Sequence, residues 1–166
     1  MGSYKKLWWM LIAILAVTFS ILGYFGVEVY RNAPPIPGKV VTASGDVLFT
    51  KEDILDGQNA WQHAGGMQVG SIFGHGALQA PDWTSDWLHR ELVAWLNLAS
   101  LDEYGIPYEQ TSEEQKAILK VKLKAEYRTN TYDLGKDEVT VSDRRLAAMK
   151  DTANYYVALF GDDPAL

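Results

Sequence analysis

Residues 65–91 read GGMQVGSIFGHGALQAPDWTSDWLHRE. Five glycines between Gly65 and Gly76 deny regular structure and let backbone approach a neighbour closely. Pro81-Asp82 then opens a helix. Leu88, Leu92, Trp95, Leu96 and Ala99 fall at i, i+4, i+7, i+8 and i+11, one apolar stripe that predicts an amphipathic helix. Tyr104-Gly105-Ile106-Pro107 breaks it. A glycine loop feeding a Trp-rich helix points to a mainly helical domain shaped to dock, because the stretch holds no cysteine and no complete catalytic constellation.

Upstream, Leu7 to Val27 carries no charged side chain. That length suffices to cross roughly 30 Å of hydrocarbon. Lys5 and Lys6 precede it, which places the N-terminus in the cytoplasm by the positive-inside rule. Trp8 and Trp9 stand at one interface, Tyr24 and Tyr30 near the other. A cleaved signal peptide is the rival reading. The apolar run exceeds the usual signal-peptide core of roughly 7–15 residues, and no A-x-A-like site follows it. The chain therefore divides into a cytoplasmic tip and transmembrane anchor (1–31), a Pro-rich linker (32–38, NAPPIPG) and an exported domain (39–166), which the resemblance given below makes periplasmic.

Beyond Arg31 there are twelve Lys and Arg against twenty Asp and Glu. Such a surface lacks the basic footprint of a nucleic-acid binder and does not suit a domain lying flat on anionic lipid. The absence of Cys removes disulfides, thiolate zinc sites, thiol catalysis and covalent haem attachment through C-x-x-C-H together.

Within the domain, Lys39 to Thr50 reads as a β-hairpin about an Ala43-Ser44-Gly45-Asp46 turn. Thr50 and Asp53 make a capping box for a short helix to about His63. Thr111 with Glu114 makes a second, opening a helix that buries either Ile118, Val121 and Ala125 or Leu119, Leu123 and Tyr127. Its lysines form a solvated face. Thr131 to Val141 is a small hairpin about Leu134-Gly135-Lys136. A last helix carries Leu146, Met149, Ala153, Tyr156, Val157 and Phe160, and Gly161 and Pro164 punctuate its end.

His63, His75 and His89 match no metal spacing, and His89-Arg90-Glu91 lacks that of H-E-x-x-H. The carboxylates Asp82, Asp86 and Glu91 nearby could complete a site only through folding. Asp82 and Asp86 share a helix face. As an acid–base pair they would need to converge on a substrate; as first-turn carboxylates they complement the helix dipole, and their position fits that role. Trp83 and Trp87, four apart, could form a stacking platform with Trp61 and Trp95, but Trp at helical spacing is a core or interface anchor first. The segment Gly70–Gly76 lacks the G-K-[ST] of a phosphate loop, although backbone carbonyls of such a loop suit Ca²⁺.

The 65–91 stretch resembles the N-terminal region of quinol-dependent nitric oxide reductases. MGSYKKLWWMLIAILAVTFSILGYFG at the start and YYVALFGDDPAL at the end resemble the same family, so the likeness covers essentially the whole chain. It implies a cytochrome-c-like helical domain without haem, with one or two small hairpins, held outside the inner membrane by one helix. It also implies a partner, a multi-helix catalytic module with two b-type haems and a non-haem iron that reduces two NO to N₂O with quinol electrons. This piece would cap that module and would not be catalytic alone. By analogy with the cytochrome c subunit of two-subunit nitric oxide reductases, the haem-attachment stretch falls at Gly66 to Gly70, where both cysteines and the histidine are absent. The following G-x-G-A-Y stretch there helps to hold calcium. Its counterpart here is Gly74 to Leu78, which leaves Gly76 as a backbone calcium ligand and Leu78 in place of the Tyr. Trp83, Trp87, His89 and Arg90 are the expected contacts with the module. The alternatives are a stand-alone membrane-anchored periplasmic binding protein and an assembly protein of another complex.

Overall fold

The computed structural model describes residues 2–77 and 80–161. It is mainly helical with short strands. Backbone contacts divide the chain into two compact units, Met1–Ile36 and Pro37–Leu166.

The first unit is the helix α1 (Gly2–Asn32). Its stretch Tyr4–Asn32 is long and apolar enough to cross a membrane. At 1.5 Å per residue it spans roughly 45 Å, more than the hydrocarbon thickness. Glu28 and Arg31 sit in the last turns, where Asn32 Nδ2 donates to the Glu28 carbonyl and side chain.

The second unit begins with the hairpin of β1 (Lys39–Thr42) and β2 (Val47–Thr50). Thr50 caps α2 (Lys51–His63) with the reciprocal Thr50–Asp53 bonds expected of a capping box. A short 3-10 turn (Gly66–Gln68) leads into β3 (Ser71–Ile72) and β4 (His75–Gly76). The glycine stretch, expected to be irregular, thus holds a miniature hairpin. Its two turn residues, Phe73 (φ 50°) and Gly74 (φ 75°), are both left-handed, as the tightest hairpin turns require.

Next comes α3 (Trp83–Tyr104), capped by Asp82 and stopped by left-handed Gly105. Helix α4 (Glu113–Arg128) opens on Ser112 with Gln115, not on Thr111 with Glu114. Thr111 is spent one step earlier: its hydroxyl donates to the Tyr108 carbonyl and closes the preceding turn. Strands β5 (Tyr132–Asp133) and β6 (Glu138–Val141) form the second expected hairpin. The final helix is α5 (Asp143–Phe160). Pro164 and the tail punctuation lie outside the described residues.

The two hairpins merge into one sheet of order β2-β1-β6-β5, joined by parallel pairing of β1 with β6. Lys39 across from Glu138 adds an ion pair at 3.0 Å on that seam.

The helical core comprises Trp95, Leu96, Ala99, Leu119 and Ala148, with Leu123 and Tyr127 packed on it. Of the two faces offered for α4, the Leu119 face is therefore the inner one. Ile118 and Val121 are exposed, as are Leu88 and Val157 at the margins of their predicted stripes. The reason is geometric: α3 packs mainly on α5 through the Trp95–Ala99 side, and an apolar stripe wider than its partner leaves its edges in solvent. Small Ala99 and Ala148, both fully buried, mark close approach of those helices.

Candidate functional site

The glycine loop and the start of α3 are bound to each other before they offer anything to a partner. Asp82 is the hub. Its carboxylate accepts from the Ser71 hydroxyl at 2.7 Å, the Gly74 N–H at 2.8 Å and the Ser85 N–H at 2.9 Å. Those bonds, led by Ser71, hold its pKa down at about 2. Phe73 N–H donates to Thr84 Oγ1, a second tie between loop and helix.

A carboxylate whose folded pKa is depressed stabilises fully above its ordinary value near 3.8 and loses that contribution as pH falls through about 2. The Gly74 amide resonance is therefore expected to move with an acid midpoint near 2. Asp82→Asn, which turns a donor toward one of these N–H groups, should abolish that titration and raise hydrogen exchange at Gly74 and Phe73 at every pH. An unchanged Gly74 amide in Asp82→Asn would dismiss the hub.

Above the loop sits an aromatic cluster. Trp87 and Tyr156 stack at 5.4 Å and 10°, and Tyr156 and Phe160 at 6.1 Å and 14°. Trp61 and Trp83 meet edge to face at 6.0 Å, and both approach Phe160 edge-on. An open groove of about 480 Å³ lies beside these rings, with Ile72 and Thr84 also lining it. Among the described residues no charged side chain lines it.

The polar tips of this cluster are anchored by acids. Tyr156 O–H donates to Asp86 at 2.6 Å, and burial with that bond pushes its phenol up to about 12. Asp86 also accepts from Arg90 Nε at 2.8 Å, and these donors, Arg90 foremost, keep its pKa low. The Arg90 guanidinium lies 3.5 Å over the Tyr155 ring. Trp87 Nε1 donates to Glu91 at 2.9 Å. Glu91, buried at 3% exposure, also accepts from Tyr127 O–H and Arg145 Nε, joining α3 to α4 and α5. In the sequence Glu91 stands out only as one carboxylate near the histidines. Its partners lie 36 and 54 residues downstream, beyond any local spacing signal.

The four expected contact residues therefore differ in what they present. Trp83 and Trp87 are half-buried within the cluster, and Arg90 is held by Asp86 and Tyr155. His89 is exposed, beside a second groove of about 280 Å³ shared by Arg90, Val93, Asn97, Asp151 and Tyr155. The histidines do not act as a set: His63 bonds the Asn59 carbonyl, while His75 is on β4 and His89 on α3.

Covalent haem does not fit Gly66–Gly70. The stretch offers neither thiolate nor imidazole, and the space against it is filled. A Cβ on Gly66 would lie 2.0 Å from the Trp61 ring, and one on Gly70 would lie 1.8 Å from Trp83 Nε1. The indole N–H groups of Trp61 and Trp83 are buried against this loop without an acceptor among the described residues. Gly76, at φ 137°, also packs on the Gly70 carbonyl. Among the described residues no cluster of three His, Cys, Asp or Glu is placed to hold a metal ion, and Leu78 lies outside them.

No curated protein matches the chain. The family model for the cytochrome c-like domain of the nitric oxide reductase protein NorB matches residues 37–166. Those bounds coincide with the second compact unit, Pro37–Leu166. The match thus takes in both hairpins, the glycine loop, the aromatic cluster and all the helices that carry them, and by it the chain belongs to the NorB cytochrome c-like domain family.

Proposed function

We propose that this chain is the membrane-anchored hydrophilic part of a quinol-dependent nitric oxide reductase, capping the haem-bearing module that turns two NO into N₂O. The family match over 37–166 carries the reading. Further support comes from α1, which has the length and apolar composition of a membrane anchor. Two lysines before it favour a cytoplasmic N-terminus and a periplasmic domain. In this reading the b-type haems and non-haem iron belong to the module, and quinol delivers electrons there. The domain contributes a shaped surface.

The docking face proposed is the exposed side of α3 about His89, with Arg90 and the groove they share with α5. Trp83 and Trp87 act from behind that face by fixing the helix to α5. A calcium ion at the Gly76 carbonyl would have to draw its other oxygen ligands from the module, because hard Ca²⁺ takes six to eight.

The test is native purification. An affinity-tagged chain, extracted from its own membranes in mild detergent, should bring down a complex with b-type haem absorbance that consumes NO when given a quinol. His89→Glu should weaken that recovery at least about threefold without changing the melting of the chain, since an exposed rim charge alters association more than folding. A colourless complex without NO consumption would overturn the reductase reading. Undiminished recovery with His89→Glu would remove this face from the interface.

A further inference from the structure

We propose that the outer face of α4 is a self-association surface, on which a second copy of this chain lays its own α4 antiparallel, centred on Val121. The inference does not rest on the reductase reading, and the face is not the one about His89. Its first ground is an apolar stripe left in water. Leu119 and Leu123 turn inward to the core. The opposite side of the helix carries Ala117, Ile118, Val121 and Ala125, all exposed. Val121, at the centre of that side, is 67% exposed.

Charge is the second ground. Glu114 ends the stripe on one side and Arg128 on the other, each two helical turns from Val121 and nearly in line with it. Lys120, Lys124 and Arg128 recur at i, i+4 and i+8, a row of like charges that repel. Lys116 and Lys122 are answered by Glu113 and Glu103, whereas among the described residues that row has no acid in ion-pairing range. The helix dipole accounts for acid at the first turn and base at the last. It does not account for the apolar side chains exposed between them. An antiparallel second copy accounts for both. With Val121 on the two-fold axis, Glu114 meets Arg128 of the second copy, Ala117 meets its Ala125, and Ile118 meets the aliphatic stem of its Lys124. Each contact occurs twice, as a two-fold interface requires. Lys120 falls opposite Lys122, whose charge Glu103 already answers at 2.6 Å. A parallel pair would set Glu114 on Glu114 and Arg128 on Arg128, so charge selects the antiparallel register. One helix pair is a small interface of the transient class. The span Tyr4–Asn32, apolar enough to cross a membrane, would confine both copies to one surface and raise their effective concentration.

The chain has no cysteine, so disulfide trapping reads the register directly. Two differently tagged full-length copies are expressed in one membrane and oxidised with copper phenanthroline. Val121→Cys should join to itself at least about fivefold more than Leu134→Cys, an exposed control on the β5–β6 turn. Ala117→Cys should join to Ala125→Cys of the other copy and not to itself, because equal positions there stand about 12 Å apart along the antiparallel pair. Glu114→Arg in the Val121→Cys background should lower the yield at least about fivefold, since two ion pairs become repulsions. Adding Arg128→Glu should restore it, whereas a helix-dipole role alone would make it worse. Self-joining of Ala117→Cys in preference to Ala125→Cys would mean a parallel contact and overturn the proposal. So would a Val121→Cys yield no higher than that of Leu134→Cys, or failure of Arg128→Glu to restore Glu114→Arg. Benzophenone maleimide on Val121→Cys that marks a different protein, or lipid alone, would give the face to that occupant, with the same consequence.

Discussion

Gly70→Ala is expected to cost about 3 kcal/mol of stability and to lower the melting temperature by roughly 10 °C. The added methyl would lie 1.8 Å from Trp83 Nε1, 2.4 Å from Trp83 Cδ1 and 2.7 Å from the Pro81 carbonyl. Indole and backbone are both rigid there. Pro81 cannot retreat, because its carbonyl accepts from Ser71 N–H at 3.1 Å and Asp82 holds the same corner. Trp83 cannot swing out without uncovering the Tyr156 and Phe160 rings. The strain is steric, since Gly70 is not in the left-handed region. Gly66→Ala should behave alike, with its methyl driven into the Trp61 ring. Gly57→Ala, inside α2 with open space about it, should instead gain roughly 0.5–1 kcal/mol. Near-ultraviolet circular dichroism of the full chain reads all three. Adding Trp83→Phe to Gly70→Ala should recover at least about 1 kcal/mol, because neighbours that clash are non-additive. Additive losses would mean that the loop, not the indole, gives way.

That pair also shows what the sequence could tell. Glycines at 66 and 70 announce a close approach of backbone to something, and Trp83 with Trp87 announces an anchor. Their meeting is a tertiary fact. Trp61, on the preceding helix, lies against Gly66, and nothing in its spacing says so. Local devices are legible because they close within a few residues, as with Thr50 and Asp53 or left-handed Gly105. The second capping box sits one residue on from its expected place because Thr111 and Ser112 are both good caps, and only the preceding turn decides which is spent. The pairing of β1 with β6 is illegible for another reason. Val40 and Val139 are ordinary strand residues about a hundred positions apart, and parallel partners leave no mark on either hairpin. The family resemblance runs through the text of the chain, 65–91 above all, whereas the physics of that stretch emerges only when Asp82, the loop and the aromatic rings are placed together.

Glu91→Ala is expected to cost about 3–5 kcal/mol, the range for stripping one partner from a buried ion pair. The carboxylate is 3% exposed and takes three donors: Trp87 Nε1 at 2.9 Å, Tyr127 O–H at 2.8 Å and Arg145 Nε at 3.1 Å. Removing it leaves an indole, a phenol and a guanidinium facing a void at the junction of three helices. Arg145 is partly exposed and lies 4.6 Å over the Tyr127 ring, so some of its charge can turn to water. The phenol and indole have less freedom, and their loss sets the lower bound. Glu91→Gln keeps the volume but must point an N–H at one of the three donors, costing about 1–3 kcal/mol. Urea unfolding of Glu91→Ala, Arg145→Ala and the double variant gives the coupling, expected between about 1 and 3 kcal/mol. A Glu91→Ala cost below about 1 kcal/mol would place the pair with surface ion pairs and end its claim to hold the helices. If the larger cost is found, the consequence reaches the groove. Trp87 is stacked on Tyr156 and its indole N–H is fixed by Glu91, so the aromatic cluster beside the groove depends on a carboxylate that does not itself line it.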